Sequence, residues 1–250
     1  MAHLDDFRVA DPTALLRRAG EAGIDTIVTA GVDPLGVPEQ RWSAADTSGV
    51  VVRRAYGIHP QAIDHQNVTA QLDRLGELLG DVDVVALGEV GLDNRDGMPP
   101  AGLQEMVLQT QLQLARQLEL PVILHCVRAT GRLLEILGDL DPLPAGGLVH
   151  GFGGPAELID SFVRLGLHLS VGGLVCRESA KRCRAAAVVV PQDRLLVESD
   201  TPDHPTGEAE QSEPASINQT LATLATLRQT TAAQLGAATA HNARRIYRLP

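Results

Sequence analysis

The stretch VVALGEVGLD, residues 84–93, decides the fold. Its first half is a short run of aliphatic and β-branched residues, typical of a strand buried in a parallel sheet, and it leads into Glu89 and Asp93. Similar runs alternate with longer amphipathic segments, and this alternation predicts repeated βα units around a parallel sheet. The predicted strands are residues 24–30, 50–58, 84–89, 121–125, 147–150, 167–171 and 194–200.

Helical periodicity fills the segments between these strands. Leucines recur three or four positions apart in residues 69–79 and 103–118, as in helices that pack one face against a sheet. The same logic predicts helices at residues 13–22, 130–137, 156–165, 217–227 and 232–247. A chain of 250 residues with this pattern fits one barrel-sized domain over residues 1–250. We therefore expect an α/β fold of the TIM-type (β/α) barrel.

The predicted barrel is one strand short. Eight strands close such a barrel, and the chain opens directly with Met1-Ala2-His3 and a loop to the first helix. The first strand is therefore expected to be truncated or missing. Two strand edges would then be exposed, which favours association with other chains.

Composition limits the class of protein. The formal net charge is −10 and no basic stripe occurs, which argues against a protein that coats long duplex DNA. The three cysteines form no disulfide pattern, the amino terminus does not resemble a signal peptide, and no apolar run reaches 18 residues. We expect a cytoplasmic protein with no membrane partner; the oligomeric state is not indicated.

Polar side chains collect where the predicted strands end. Active sites of parallel barrels lie at the carboxyl ends of the strands. One histidine at such a place is more often a satisfied polar group than a ligand, but five candidates share this rim. Burying them together without a cation is costly, and imidazole with carboxylate suits Zn, Mn, Fe or Mg. The five are His3, Glu89, His125, His150 and Asp200.

These motifs together resemble the TatD family of metal-dependent hydrolases, which belongs to the amidohydrolase-like barrels. The resemblance covers nearly the whole chain, and the order and spacing of the motifs make it specific. The matching stretches are HLD (3–5), GIHP (57–60), GEVGLD (88–93), LPVILH (120–125), VHGFGG (149–154), SVGG (170–173), LLVESDTP (195–202) and Asn242.

The resemblance implies a centre with two divalent ions, Mg, Mn or Zn. Glu89 would bridge them, and His125 and His150 would complete one site. Asp200 would bind the other ion and act as general base on water, so that Asp200 and Glu89 are the implied catalytic residues. His3 matches the second histidine of the family's amino-terminal His-x-His motif.

The resemblance also implies a substrate. The family hydrolyses phosphodiester bonds of DNA, and ends or single strands are the expected partner here. His59 and Asp93 would lie near the phosphate. Arg128 would assist, although the family's arginine lies one position earlier, where this chain has Val127.

One departure concerns the first ligand. Counting back from His3, the first histidine of the motif falls on Met1. The natural chain begins upstream, the present chain is shortened, or this is a divergent form; the intact remaining ligands favour the first two. For the chain as printed we expect the site of His3 and Asp200 to be weak, with His204 as a possible substitute ligand and, as the simpler alternative, an exposed loop residue.

Two other functions stay open. One is a metal-dependent hydrolase of a small phosphoester or amide, because this fold hosts many chemistries. The other is a non-catalytic relic or partner-binding protein with an impaired first metal site, which could use its exposed edge for strand addition. Serine-nucleophile and nucleotide-triphosphate chemistry are disfavoured, because no Gly-x-Ser-x-Gly elbow occurs and Lys181 is the only lysine.

Overall fold

A single parallel sheet organises the protein. The computed structural model describes residues 1–37, 49–207 and 209–250. Within them seven strands lie side by side in chain order, and all neighbours are parallel. The strands are β1 (Thr26–Ala30), β2 (Val51–Tyr56), β3 (Val84–Asp93), β4 (Val122–Val127), β5 (Gly147–Val149), β6 (Leu167–Val171) and β7 (Leu195–Val197).

Helices connect the strands and cover the outer face of the sheet. They are α1 (Pro12–Glu21), α2 (Val68–Leu78), α3 (Ala101–Gln117), α4 (Thr130–Asp139), α5 (Ile159–Arg164), α6 (Lys181–Val189), α7 (Ile217–Leu227) and α8 (Ala232–Tyr247). None of the helices described is long and apolar enough to cross a membrane.

The curled sheet has an apolar core on each face. The larger core lies between the strands and the helices, and its fully buried members include Leu75, Leu108 and Phe162. A smaller cluster of short aliphatic side chains, among them Ala86 and Ile123, belongs to the other set of alternating strand positions. Since side chains alternate along a strand, this second cluster fills the interior of the curl. The predicted TIM-type architecture is confirmed.

Most predicted elements agree with the structure to within a few residues. The main difference is α6, for which no helix was expected. Its sequence KRCRAAAVV ends in β-branched residues and lacks leucines, so its helical period is weak. Cys183, Ala186 and Ala187 nevertheless lie buried at helical spacing. The small side chains of α6 let it approach the core without a strong apolar stripe.

The first three residues lie between the two edges of the sheet and bond to β1 on one side and to the segment after β7 on the other. The N–H of Ala2 donates to the carbonyl of Val28 at 3.1 Å, and the carbonyl of Ala2 accepts from Ala30 at 2.9 Å. On the other side, the N–H of His3 donates to the carbonyl of Thr201 at 2.8 Å. We call these contacts the seam. The expected gap in the barrel is not supported at this rim, because the seam joins β1 to the segment after β7.

Between β1 and β7, toward the amino-terminal ends of these strands, packing is less complete. A cavity of about 330 Å³ lies between β1 and β7 and is lined by residues of both strands and of α8. Leu196 and Tyr247 are among its apolar lining residues. Among the described residues, the two edges are therefore joined through Ala2 and His3 at the end where the polar side chains converge.

Candidate metal centre

The five residues expected to bind metal lie together at the carboxyl ends of the strands, and all five are largely buried. Glu89 is central. Its Oε1 atom is 2.9 Å from Nε2 of His3, and its Oε2 atom is 3.2 Å from Nε2 of His150 and 3.8 Å from Nδ1 of His125. Asp200 completes the group, with Oδ1 at 3.7 Å from Nε2 of His3. One carboxylate thus faces three imidazoles and has a second carboxylate nearby.

Glycines allow the strands to approach closely here. A Cβ atom on Gly91 of β3 would lie 1.9 Å from the carbonyl oxygen of His125 on β4. A Cβ atom on Gly57, just after β2, would lie 2.6 Å from the carbonyl oxygen of Glu89. Both contacts are with backbone that cannot move aside cheaply. Glycine is therefore needed at positions 91 and 57 because any side chain there would clash with neighbouring backbone. The close approach brings Glu89 on β3 and His125 on β4 near each other.

Hydrogen bonds fix which nitrogen each imidazole presents. Nδ1 of His3 lies 2.8 Å from the carbonyl oxygen of Ala30, and a carbonyl only accepts, so Nδ1 carries the proton. Nε2 of His125 lies 3.0 Å from Oδ2 of Asp93, which gives Nε2 the proton in the same way. His3 therefore presents Nε2 toward Glu89, and the unprotonated Nδ1 of His125 accepts from Nε2 of His150 at 3.0 Å, with Glu89 Oε2 3.8 Å away.

His59 is closer to the centre than expected at the sequence level. Its Nε2 atom is 3.7 Å from Oε2 of Glu89, and its ring centroid is 4.3 Å from that of His125. His59, Glu89 and His125 offer ligand atoms within 4.8 Å of one another, as do His3, Glu89 and Asp200. However, Nδ1 of His59 accepts a hydrogen bond from the N–H of Gln61. Neutral His59 therefore carries its proton on Nε2 and faces the centre as a hydrogen-bond donor.

The electrostatics of the centre are dominated by Glu89. Burial opposes protonation of His3 and His150, but the surrounding carboxylates together outweigh it. Glu89 and Asp200 raise the pKa of His3 to about 9, and Glu89, Glu198 and Asp200 raise that of His150 to about 10. Burial and the charge of His125 lower the pKa of His59 to about 3. Burial and the charge of His150 lower the pKa of His125 to about 4. At neutral pH His59 and His125 are therefore neutral, whereas His3 and His150 hold a second proton beside Glu89.

Asp200 has the features of a base. It lies in the loop after β7 with a φ of 54° and is 5% exposed. Burial, together with the Glu198 and Glu89 carboxylates, raises the pKa of Asp200. His204 has its Nε2 atom 3.7 Å from Oδ2 of Asp200, but its side chain is 49% exposed. The simpler interpretation of His204 as an exposed loop residue agrees with this exposure, while its distance leaves it within reach of Asp200.

The three residues expected near a phosphate occupy different environments. His59 is buried, and Asp93 is fully buried beneath Arg95, whose guanidinium contacts both carboxylate oxygens. Only Arg128 is exposed; it follows β4 with a φ of 53°. The structure thus brings Asp93 to His125 rather than to the surface, and it places Arg95 and Arg128 at the rim.

Glu198 was not among the residues expected at the site. It is 1% exposed, and its Oε1 atom lies 3.6 Å from Nδ1 of His150. The signal available in the sequence was the pair Glu198 and Asp200 after a buried strand, but an alternating strand pattern places both on one face without showing which contacts the metal ligands.

Comparisons with known proteins agree with this geometry. The family described as "TatD related DNase" matches residues 2–248. The "Uncharacterized metal-dependent hydrolase YabD" of Bacillus subtilis (strain 168) is 30% identical over 99% of this chain and 97% of its own length. The "3'-5' ssDNA/RNA exonuclease TatD" of Yersinia pseudotuberculosis serotype O:3 (strain YPIII) is 35% identical over 94% of this chain and 92% of its own length.

The solved structures give the same result. YJJV, a TatD homologue from Escherichia coli K12, superposes with a TM-score of 0.87 at 30% identity and covers 100% of this chain and 96% of its own. By its sequence match and its fold, the chain belongs to the TatD-related DNase family.

Proposed function

We propose that this protein is a divalent-metal-dependent phosphodiesterase that removes nucleotides from the 3′ ends of single-stranded DNA or RNA, and that residues 1–250 act as one catalytic domain. The main support for this proposal is the position of Glu89, a buried carboxylate with imidazole nitrogens of His3, His125 and His150 within 3.8 Å. The names of the relatives supply the polarity and the kind of substrate.

The donor set fits divalent metal. Oε1 of Glu89 accepts no hydrogen bond of acceptable geometry within the described chain, although Nε2 of His3 is 2.9 Å away. A buried carboxylate oxygen left in this state is costly. His3, Glu89 and Asp200 would hold one ion, and Glu89, His125 and His150 would hold the other. Such ions would supply Lewis acidity, which makes water a better nucleophile and offsets charge on the phosphate.

The protein's own groups would handle the proton and the phosphate. Asp200, with its raised pKa, can accept the proton of the attacking water. His59 is neutral, and its Nε2–H can donate to a phosphate oxygen. Arg128 is exposed at the rim, where its guanidinium can contact the next phosphate of the strand.

The charge of the protein supports action at ends. A net charge of −10 gives no general attraction for a polyanion, so binding must depend on contacts at the rim. A protein that holds a few phosphates at a buried centre suits a free single-stranded end better than the middle of a duplex.

The test uses a 5′-labelled single-stranded oligonucleotide with Mg²⁺ or Mn²⁺. We expect a ladder of products shortened from the 3′ end, no cleavage with EDTA, and no cleavage by Glu89→Gln. Glu105→Gln is the matched control, because Glu105 pairs with Arg132 on the surface. Metal content is measured by elemental analysis on the same samples.

Other outcomes decide against the proposal. Metal-loaded protein that leaves oligonucleotides intact but hydrolyses a small phosphoester or an amide would assign it to that alternative class. Protein that binds no metal would favour the non-catalytic, partner-binding alternative.

A further inference from the structure

Glu198 lies behind His150, on the side away from Glu89. It follows β7 directly and is 1% exposed. Its Oε1 atom accepts a hydrogen bond from the N–H of Gly151 at 2.5 Å and lies 3.6 Å from Nδ1 of His150. The buried carboxylate of Glu198 thus lies next to His150 and bonds to Gly151, which begins the turn after it.

Two polar atoms at this contact lack partners. Nδ1 of His150 and Oε2 of Glu198 are both buried and make no hydrogen bond within the part of the chain that the structure describes. Each such atom is costly alone, and the two belong to neighbouring side chains. A small rotation of the imidazole would let Nδ1–H donate to Oε1 of Glu198, which is 3.6 Å away, and satisfy the nitrogen.

The surroundings hold Glu198 in place. A Cβ atom on Gly172 would lie 3.5 Å from Cγ of Glu198, and a Cβ atom on Gly151 would lie 3.8 Å from its Oε1 atom. Gly151 also has a φ of 55°, which favours glycine, so its N–H is directed at Glu198 by a turn that other residues adopt with strain. The hydrogen bond from Gly151 therefore anchors Oε1 of Glu198 beside His150.

We propose that Glu198 is a positioning residue, whose carboxylate keeps a proton on Nδ1 of His150 and so leaves Nε2 as the nitrogen that faces Glu89 and a divalent ion. The inference rests on the proposed function and deepens it. Metal-binding histidines commonly donate their other ring N–H to a carboxylate, which fixes the tautomer and the ring orientation. His125 has its carboxylate in Asp93, and Glu198 has the corresponding relation to His150.

Glu198→Gln tests the role of the charge with little change of shape. The amide oxygen can take the place of Oε1, accept from Gly151 and still face Nδ1 of His150, but it is neutral. Nδ1–H then has a weaker acceptor than a carboxylate, so the preference for a proton on Nδ1, which leaves Nε2 for the metal, is reduced. The control is Glu105→Gln, which removes a surface carboxylate from the ion pair with Arg132.

Two readouts are measured on the full chain with Zn²⁺. Competition with a chelating dye gives the zinc affinity, and we expect Glu198→Gln to weaken it by about 10- to 100-fold, with Glu105→Gln unchanged. Nitrogen-15 NMR of the zinc-loaded protein reports each ring nitrogen. We expect a protonated Nδ1 and a metal-bound Nε2 for His150 in the unchanged chain, and a smaller share of this form in Glu198→Gln. Circular dichroism checks that both variants are folded.

The outcomes separate the two proposals. If the unchanged chain binds zinc and Glu198→Gln binds it equally well with the same nitrogen protonated, the positioning role is wrong and the proposed function stands. A zinc-loaded unchanged chain whose His150 binds through Nδ1 overturns the role even if Glu198→Gln does not fold. If the unchanged chain takes up no zinc, the proposed function fails and this inference fails with it.

Discussion

Oδ2 of Asp93 lies 3.0 Å from Nε2 of His125, so a fully buried carboxylate orients one of the imidazoles around Glu89. The same carboxylate is held by Arg95 at the rim. Burial opposes ionisation of Asp93, but the hydrogen bonds from Arg95 and His125 together outweigh it and lower the pKa of Asp93 to about 2. Asp93, which was expected near a phosphate, thus contacts Arg95 and His125 in the structure.

The first prediction concerns this pair. Asp93→Asn keeps an acceptor for the N–H of His125 but removes the charge that strengthens the hydrogen bond and holds Arg95. We expect metal affinity to fall by about 10-fold, measured by dye competition. Arg95→Met is the companion variant, since it leaves Asp93 and His125 in place. Unchanged affinity in Asp93→Asn would show that His125 needs no charged partner.

The second prediction concerns Arg128 and the substrate. Arg128→Met should raise the KM for a single-stranded oligonucleotide about 5- to 30-fold, with a smaller effect on kcat, because one phosphate contact of about 1–2 kcal/mol is lost. Arg132→Met, four residues further along in α4, is the matched control and should not change KM. Equal KM values for the two variants would remove Arg128 from the substrate site.

The third prediction concerns the close approach of β3 and β4. Gly91→Ala would place Cβ 1.9 Å from the carbonyl oxygen of His125. We expect it to lower the free energy of unfolding by about 3 kcal/mol or more, because backbone must shift in a packed sheet. Gly76→Ala is the control, since Gly76 lies in α2 with no atom within 4 Å of an added Cβ. That change should stabilise the protein by about 0.5–1 kcal/mol. Urea denaturation measures both, and an unaffected Gly91→Ala would contradict the packing argument.

The fourth prediction concerns pH and a histidine away from the centre. Burial and the charges of Arg194 and Arg245 lower the pKa of His168 to about 4. The unfolded chain, with an ordinary histidine pKa near 6.5, then binds more protons between these values, so stability is lost as pH falls from about 6.5 to 4. His168→Gln should remove about 1–3 kcal/mol of this loss, measured by urea denaturation at pH 7.5 and 4.5. His65→Gln, at an exposed site, should follow the unchanged protein; the same slope in His168→Gln would refute the assignment.

The sequence predicted the sheet well because buried parallel strands leave a strong local pattern. Strand β6 and helices α7 and α8 agree with the predicted bounds residue for residue. Helix α6 was missed because its buried face is made of alanine and cysteine, which carry little periodic signal. Strand β3 extends to Asp93 rather than ending at Glu89, since its later residues are also buried against β4.

The site was predictable in its membership and less so in its contacts. Strand ends located His125 and Asp200, because the carboxyl ends of parallel strands share one rim. The depth of Asp93, the donor role of His59 and the presence of Glu198 depend on ring orientation and on hydrogen bonds across strands. Such contacts join residues that are far apart in the chain, and no local spacing encodes them.

The seam has a consequence for how the centre responds to strain. His3 reaches Glu89 only while Ala2 is bonded to β1 and the N–H of His3 to Thr201. Any fluctuation that separates these strands withdraws an imidazole from the centre, and an ion held there would resist the separation. Metal binding and breakage of the seam are therefore linked equilibria. Removing the ion with a chelator should make the seam open more often, and a tightly bound ion should stabilise it.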